Sequence, residues 1–101
     1  MTSDSVIRFG RVVSYRHGWG FVADDDSPNC ANYFVHQREY RSLVVCEGTI
    51  RFTQWEYVNV RVGDRVVFRV TRTPKGLAAG PWALESEWDK LQARVQRSEN
   101  E

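Results

Sequence analysis

Apolar and polar positions alternate with a period of two through most of this chain, the mark of strands with two unlike faces. Over residues 6–15, Val6, Ile7, Phe9, Val12, Val13 and Tyr15 form a strand-rich run. Gly10 interrupts it and predicts a bend or bulge there. In His17-Gly18-Trp19-Gly20-Phe21-Val22, alternation puts Trp19 and Phe21 on one face and Val22 on the other. Tyr33-Phe34-Val35-His36 repeats the arrangement, with Phe34 and His36 opposite Tyr33 and Val35. Over 64–72, Val66, Phe68 and Val70 are expected to face a core, and Arg65, Val67, Arg69 and Thr71 to face the other side, with Arg69 and Arg72 outward as solvated charges. Thr73-Pro74-Lys75-Gly76 reads as a turn. In 77–84, Ala78-Ala79 permits close strand approach, Pro81 demands an edge or a bulge, and Trp82 is assigned to the core.

Other stretches carry different signals. Leu43-Val44-Val45-Cys46 and Thr49-Ile50-Arg51-Phe52 flank Glu47-Gly48, the pattern of a β-hairpin within about 41–54. Arg38, Arg41 and Arg51 give this region basic character, and Trp55 and Tyr57 add rings. Ala23-Asp24-Asp25-Asp26-Ser27-Pro28-Asn29 is an acidic turn segment, read as solvated because it lacks the later glycine and glutamate of a calcium loop. From residue 85 the period changes. Ser86-Glu87-Trp88-Asp89 reads as a helix start, and Trp88, Leu91 and Val95 recur at helical spacing to about residue 97. A lone helix of this length is marginal in water, so its apolar stripe is expected to pack on its own chain or, failing that, on a partner. Residues 1–4 are polar and expected to be flexible.

If the two aromatic strands pair with their valines inward, Trp19, Phe21, Phe34 and His36 stand together facing water. Proteins rarely expose such a patch without a use for it. Gly10-Arg11-Val12, Gly18-Trp19-Gly20-Phe21-Val22, Tyr33-Phe34-Val35-His36 and Lys75-Gly76-Leu77-Ala78-Ala79-Gly80, in that order, resemble the motifs of the cold-shock domain family. The spacing from Tyr57 through Val60, Gly63 and Val66 to Phe68 is similar to a further landmark of that family.

The resemblance implies an all-β fold: a five-stranded antiparallel oligonucleotide-binding barrel of cold-shock type. It would occupy residues 5–84, with the hairpin as an insertion and residues 85–101 as an added α-helix and tail. The resemblance also implies that Trp19, Phe21, Phe34 and His36 stack unpaired bases, with Tyr15 and Tyr57 as flanking platforms. Arg16, His17, Arg38 and Lys75 would attract phosphates. The chain departs from the family where Val13-Ser14-Tyr15-Arg16 replaces a Trp-bearing segment and where Gln37 replaces an aromatic. The connection to Gly18 is also shorter, so the first hairpin is expected to be tight. The hairpin insertion either extends the binding face or only lengthens a loop.

Composition narrows the choice. At 101 residues the chain is one domain, and 42% hydrophobic with 27% charged residues is ordinary for a folded protein. No stretch approaches the roughly 20 apolar residues that span a bilayer, and no signal-peptide pattern opens the chain, so a cytoplasmic location is expected. Cys30 and Cys46 have no metal or redox spacing and are read as incidental thiols, so no metal and no cofactor is expected. Lys and Arg number 14 against 13 acids, for a formal net charge of +1. That excludes binding by charge alone and leaves room for stacking over a local basic patch.

His36 has no nucleophile or carboxylate partner at a recognisable spacing, and no nucleophile elbow or phosphate loop is present, so the chain is not expected to be an enzyme. The expected function is binding of single-stranded RNA or DNA, of an RNA-chaperone or gene-expression-regulator type. The alternative is a protein-interaction module, or self-association, that uses the hairpin and the C-terminal helix. The near-zero net charge favours that alternative slightly.

Overall fold

The computed structural model describes residues 7–26 and 32–99. The expectations for residues 1–4, for Ser27-Pro28-Asn29 and for Cys30 lie outside that range. His17 and Gly18 both adopt left-handed backbone, with φ of 57° and 87°, and turn β1 (Arg8–Arg16) tightly into β2 (Trp19–Asp24). A turn of this hand matches the right-handed twist of the strands it joins. Glu47 and Gly48, at 54° and 75°, do the same between β4 (Arg41–Cys46) and β5 (Thr49–Trp55). β3 (Tyr33–His36) leads into β4 through one 3-10 turn at Gln37–Glu39. β6 (Arg65–Thr73), β7 (Gly76–Leu84) and α1 (Glu85–Glu99) complete the chain.

β1, β2, β3, β7 and β6 close in that order into a barrel, and β4 and β5 form a separate two-stranded sheet. Barrel neighbours are antiparallel except β3 and β7, which run parallel and meet at Phe34 and Ala78. Val12, Val22, Val35, Val66, Phe68 and Trp82 fill the interior and have no exposed surface. The Trp82 indole donates to the His36 carbonyl at 2.9 Å and meets Tyr40 edge-on at 4.9 Å, which ties the end of β3 to the floor of the barrel.

Several sequence expectations need correction. The bulge in β1 falls at Val13, between the pairs Val12–Val22 and Ser14–Phe21, and not at Gly10. Gly10 is required by close approach: a Cβ there would lie 2.1 Å from the Ala23 carbonyl oxygen. Pro81 lies in a bulge of β7, where Gly80 and Pro81 together oppose Arg69. Val67 points out of the barrel yet is fully buried, because α1 covers this side. There Phe9, paired with Val67, meets Trp88 of α1 edge-on at 5.8 Å. Arg69 is no solvated charge; its guanidinium lies 5.7 Å from the centre of the Phe52 ring of the hairpin.

The acidic segment is also more built than expected. Asp24 ends β2 and is buried, accepting from Arg8 at 2.8 Å and from the Asp26 amide at 2.9 Å. Arg65 grips Asp25 with one side of its guanidinium and Glu85 with the other, at 2.9 Å for the Glu85 bond. These hydrogen bonds hold the Asp25 carboxyl below its ordinary value. The helix starts at Glu85, one residue before the expected cap, and runs directly out of β7. It packs against the hairpin as well as the barrel. No described helix is long and apolar enough to cross a membrane.

Candidate nucleic-acid interface

β2 and β3 pair in the register that the alternation demands, with Trp19 opposite His36 and Phe21 opposite Phe34. Gly20 lies between Trp19 and Phe21 on the inward face, and a Cβ there would sit 2.0 Å from the Ser14 carbonyl oxygen. Only glycine lets β1 come that close. The outward side chains form a continuous aromatic surface: Phe34 lies 5.9 Å from both Trp19 and Phe21, and 6.3 Å from His36. Trp19 is tilted only 34° from Phe34, whereas Phe21 stands edge-on to both. Exposures of 45% for Trp19, 36% for Phe21 and 37% for Phe34 leave ring faces open to a flat ligand.

His36 is fixed by its neighbour. Its Nδ1 accepts the Arg38 amide at 3.0 Å, so the neutral ring carries its proton on Nε2. Two hollows flank Phe34. One is lined by Phe34, His36, Arg38, Glu39, Thr71, Thr73 and Ala78-Ala79-Gly80. The other is lined by Phe21, Phe34, Thr73, Pro74, Lys75 and Leu77. Arg38 and Lys75 therefore stand on opposite sides of the same ring. Arg16 is exposed opposite Trp19, and exposed His17 follows it in the turn.

Two expected site residues are not with the rings. Tyr15 pairs with Gly20 and turns inward, where it packs on Trp82 at 6.2 Å. Its hydroxyl is buried without a hydrogen-bond partner among the described residues. Burial, with the Tyr57 phenol adding, holds the Tyr15 phenol above its ordinary value. Tyr57 is 67% exposed but lies past the end of β5, in a hollow walled by Tyr40, Leu43, Ala83 and Glu87. That hollow shares no residue with the two beside Phe34.

Glu39 and Thr71 line the hollow beside Phe34 although no sequence motif marked them, and Leu77 of the Lys75–Gly80 motif lines the other. The parallel contact of Phe34 with Ala78 brings them in, and it is a consequence of barrel closure. Gln37, which replaces an aromatic, packs beside Gly18, and its carbonyl accepts the Trp55 indole N–H at 3.1 Å. That bond ties the base of the hairpin to the end of β3.

Strand order, closure and the outward rings define an all-β oligonucleotide-binding barrel of cold-shock type, here with an inserted hairpin and a C-terminal helix. Its fold is similar to that of a solved structure of cold-shock domains 4–6 of Drosophila Unr, with a TM-score of 0.54 and 20% sequence identity. The match covers 81% of this chain and 28% of that one, so the similarity concerns one part of the larger protein. No family model and no curated protein matches the chain.

Proposed function

We propose that the chain binds single-stranded RNA or DNA by stacking unpaired bases on Trp19, Phe21, Phe34 and His36. Arg16, His17, Arg38 and Lys75 attract the phosphates along that path. The observation that carries this reading is the exposed ring cluster, with Phe34 within 5.9 Å of both Trp19 and Phe21 on the outer face of β2 and β3. A cluster of this size contributes nothing to the core and costs exposed apolar surface, which a stacked base would cover. The cold-shock-type fold supports the same reading. A role of RNA-chaperone or gene-expression-regulator kind fits weak sequence preference, because every base offers a flat face. A protein-contact reading loses much of its ground, since Trp88 of the helix packs on Phe9 of the same chain. What remains to it is the exposed Val44, Val45 and Trp55 of the hairpin.

Fluorescence anisotropy of labelled single strands of about seven to ten nucleotides, against a matched duplex, tests the proposal. Single strands should bind and duplex should bind poorly, because its bases are already stacked. The double variant Trp19→Ala/Phe34→Ala should lose at least about tenfold in affinity. With Arg16, Arg38 and Lys75 as the charged contacts, log affinity should fall with log salt at a slope no steeper than about −2. Equal duplex binding, or indifference to the double variant, would contradict the proposal.

A further inference from the structure

The hollow on the β7 side of Phe34 has polar chemistry that stacking leaves unused. Glu39 stands in its wall together with Phe34, His36 and Thr71. The Glu39 side chain runs along Gly80: a Cβ at Gly80 would lie 3.2 Å from Glu39 Cβ, 3.3 Å from Cγ and 3.5 Å from Oε1. A carboxylate beside the path of a polyanion works against phosphate binding, and the ligand group it can favour is a hydrogen-bond donor. Among the described residues its one ion-pair partner is Arg41, whose Nη2 lies 3.9 Å from Oε1 in a long contact while Nη1 donates to the Arg38 and Tyr40 carbonyls at 2.6 and 3.1 Å. The hydroxyl protons of this wall are also committed. Thr71 donates to the Gly80 carbonyl at 2.5 Å, and Thr73 to the Gly76 carbonyl at 2.8 Å. What the wall presents to a base edge is then the Glu39 carboxylate as acceptor, with the donors of Arg38 and the His36 Nε2–H beside it.

We propose that Glu39 reads guanine: the base stacks on Phe34 and His36, and its N1–H and 2-amino group donate to the two carboxylate oxygens. The inference rests on the single-strand reading above and gives that site a base preference. Guanine alone among the common bases carries two adjacent donors on its Watson–Crick edge. Cytosine and adenine offer one amino group beside an acceptor nitrogen. Uracil and thymine offer one N–H between two carbonyls, which would face the carboxylate oxygen to oxygen. An ionised carboxylate only accepts hydrogen bonds, and one covered by a base without matching donors is left unpaired. The preference therefore comes as much from rejecting the other bases as from holding guanine.

The test is anisotropy with a thymine heptanucleotide and with the same strand carrying a central guanine, hypoxanthine or cytosine. It is run on the whole chain and on the Glu39→Ala and Glu39→Gln variants, with thermal melts to confirm folding. The Glu39 side chain is 52% exposed, so its removal leaves the core intact. The expected result is a guanine-over-thymine preference of about fivefold or more, smaller for hypoxanthine, which lacks the 2-amino group, and abolished by Glu39→Ala. No guanine preference in the original chain, or a preference that survives Glu39→Ala in folded protein, overturns the inference while leaving single-strand binding in place. Failure of every strand to bind overturns the single-strand reading and this inference with it.

Discussion

Tyr15 owes its position to Val13. In an unbroken alternation from Val12 inward, Tyr15 would share the outer face with Trp19 and Phe21. The bulge at Val13 inserts one residue, so Ser14 and Arg16 face outward and Tyr15 turns in to Gly20 and Trp82. A single extra residue thus changes a stacking platform into a rim of the core. Its hydroxyl is buried with no hydrogen-bond partner among the described residues, an arrangement that costs free energy. Tyr15→Phe should therefore leave stability unchanged or raise it by about 1 kcal/mol, as read from urea unfolding, with no loss of oligonucleotide affinity. A tenfold fall in affinity would return Tyr15 to the binding face. The outward set of Trp19, Phe21, Phe34 and His36 was legible because period-two alternation holds without interruption in β2 and β3. The bulge was not, because nothing in Val12-Val13-Ser14 distinguishes the extra residue.

The β1–β2 and β4–β5 hairpins could be read from sequence because a glycine closes each turn, after His17 in one and Glu47 in the other. β6 could be read only by half: alternation identified Val66 and Phe68 as core but gave Val67 to water. Val67 is dry because a helix from the far end of the chain covers it, and no local pattern records what lies across a strand. The same holds for the Arg8–Asp24 pair and for Arg65 between Asp25 and Glu85, whose partners are distant in sequence. The helix is thus a lid on the outer face of β1, β6 and β7, with Trp88 against Phe9 as its main anchor among the described aromatic contacts. Trp88→Ala should destabilise the protein by about 2 kcal/mol, below the usual cost for a fully buried aromatic because Trp88 is only partly buried. Because Trp88 lies away from the ring face, the same variant should bind single strands as well as the original chain does. Lost binding in a variant that is still folded would show that the helix takes part in the site.

For the molecule as a whole, a net charge of +1 says little until the charges are placed. Asp24, Asp25 and Glu85 are matched by Arg8 and Arg65, and these acids gather where β1 begins and β2 ends. Arg16 and His17 lie at the opposite end of the same hairpin, next to Trp19, while Arg38 and Lys75 flank Phe34. A nearly neutral chain can in this way carry a basic margin around an aromatic surface, and stacking rather than charge would then supply most of the affinity. An NMR titration of the isotope-labelled chain with a short single strand tests this. Shifts should concentrate at Trp19, Phe21, Phe34 and His36, including the Trp19 indole N–H, with the signals of Trp55, Tyr57 and α1 little changed. Shifts centred instead on the hairpin or on α1, with the β2–β3 rings silent, would contradict it.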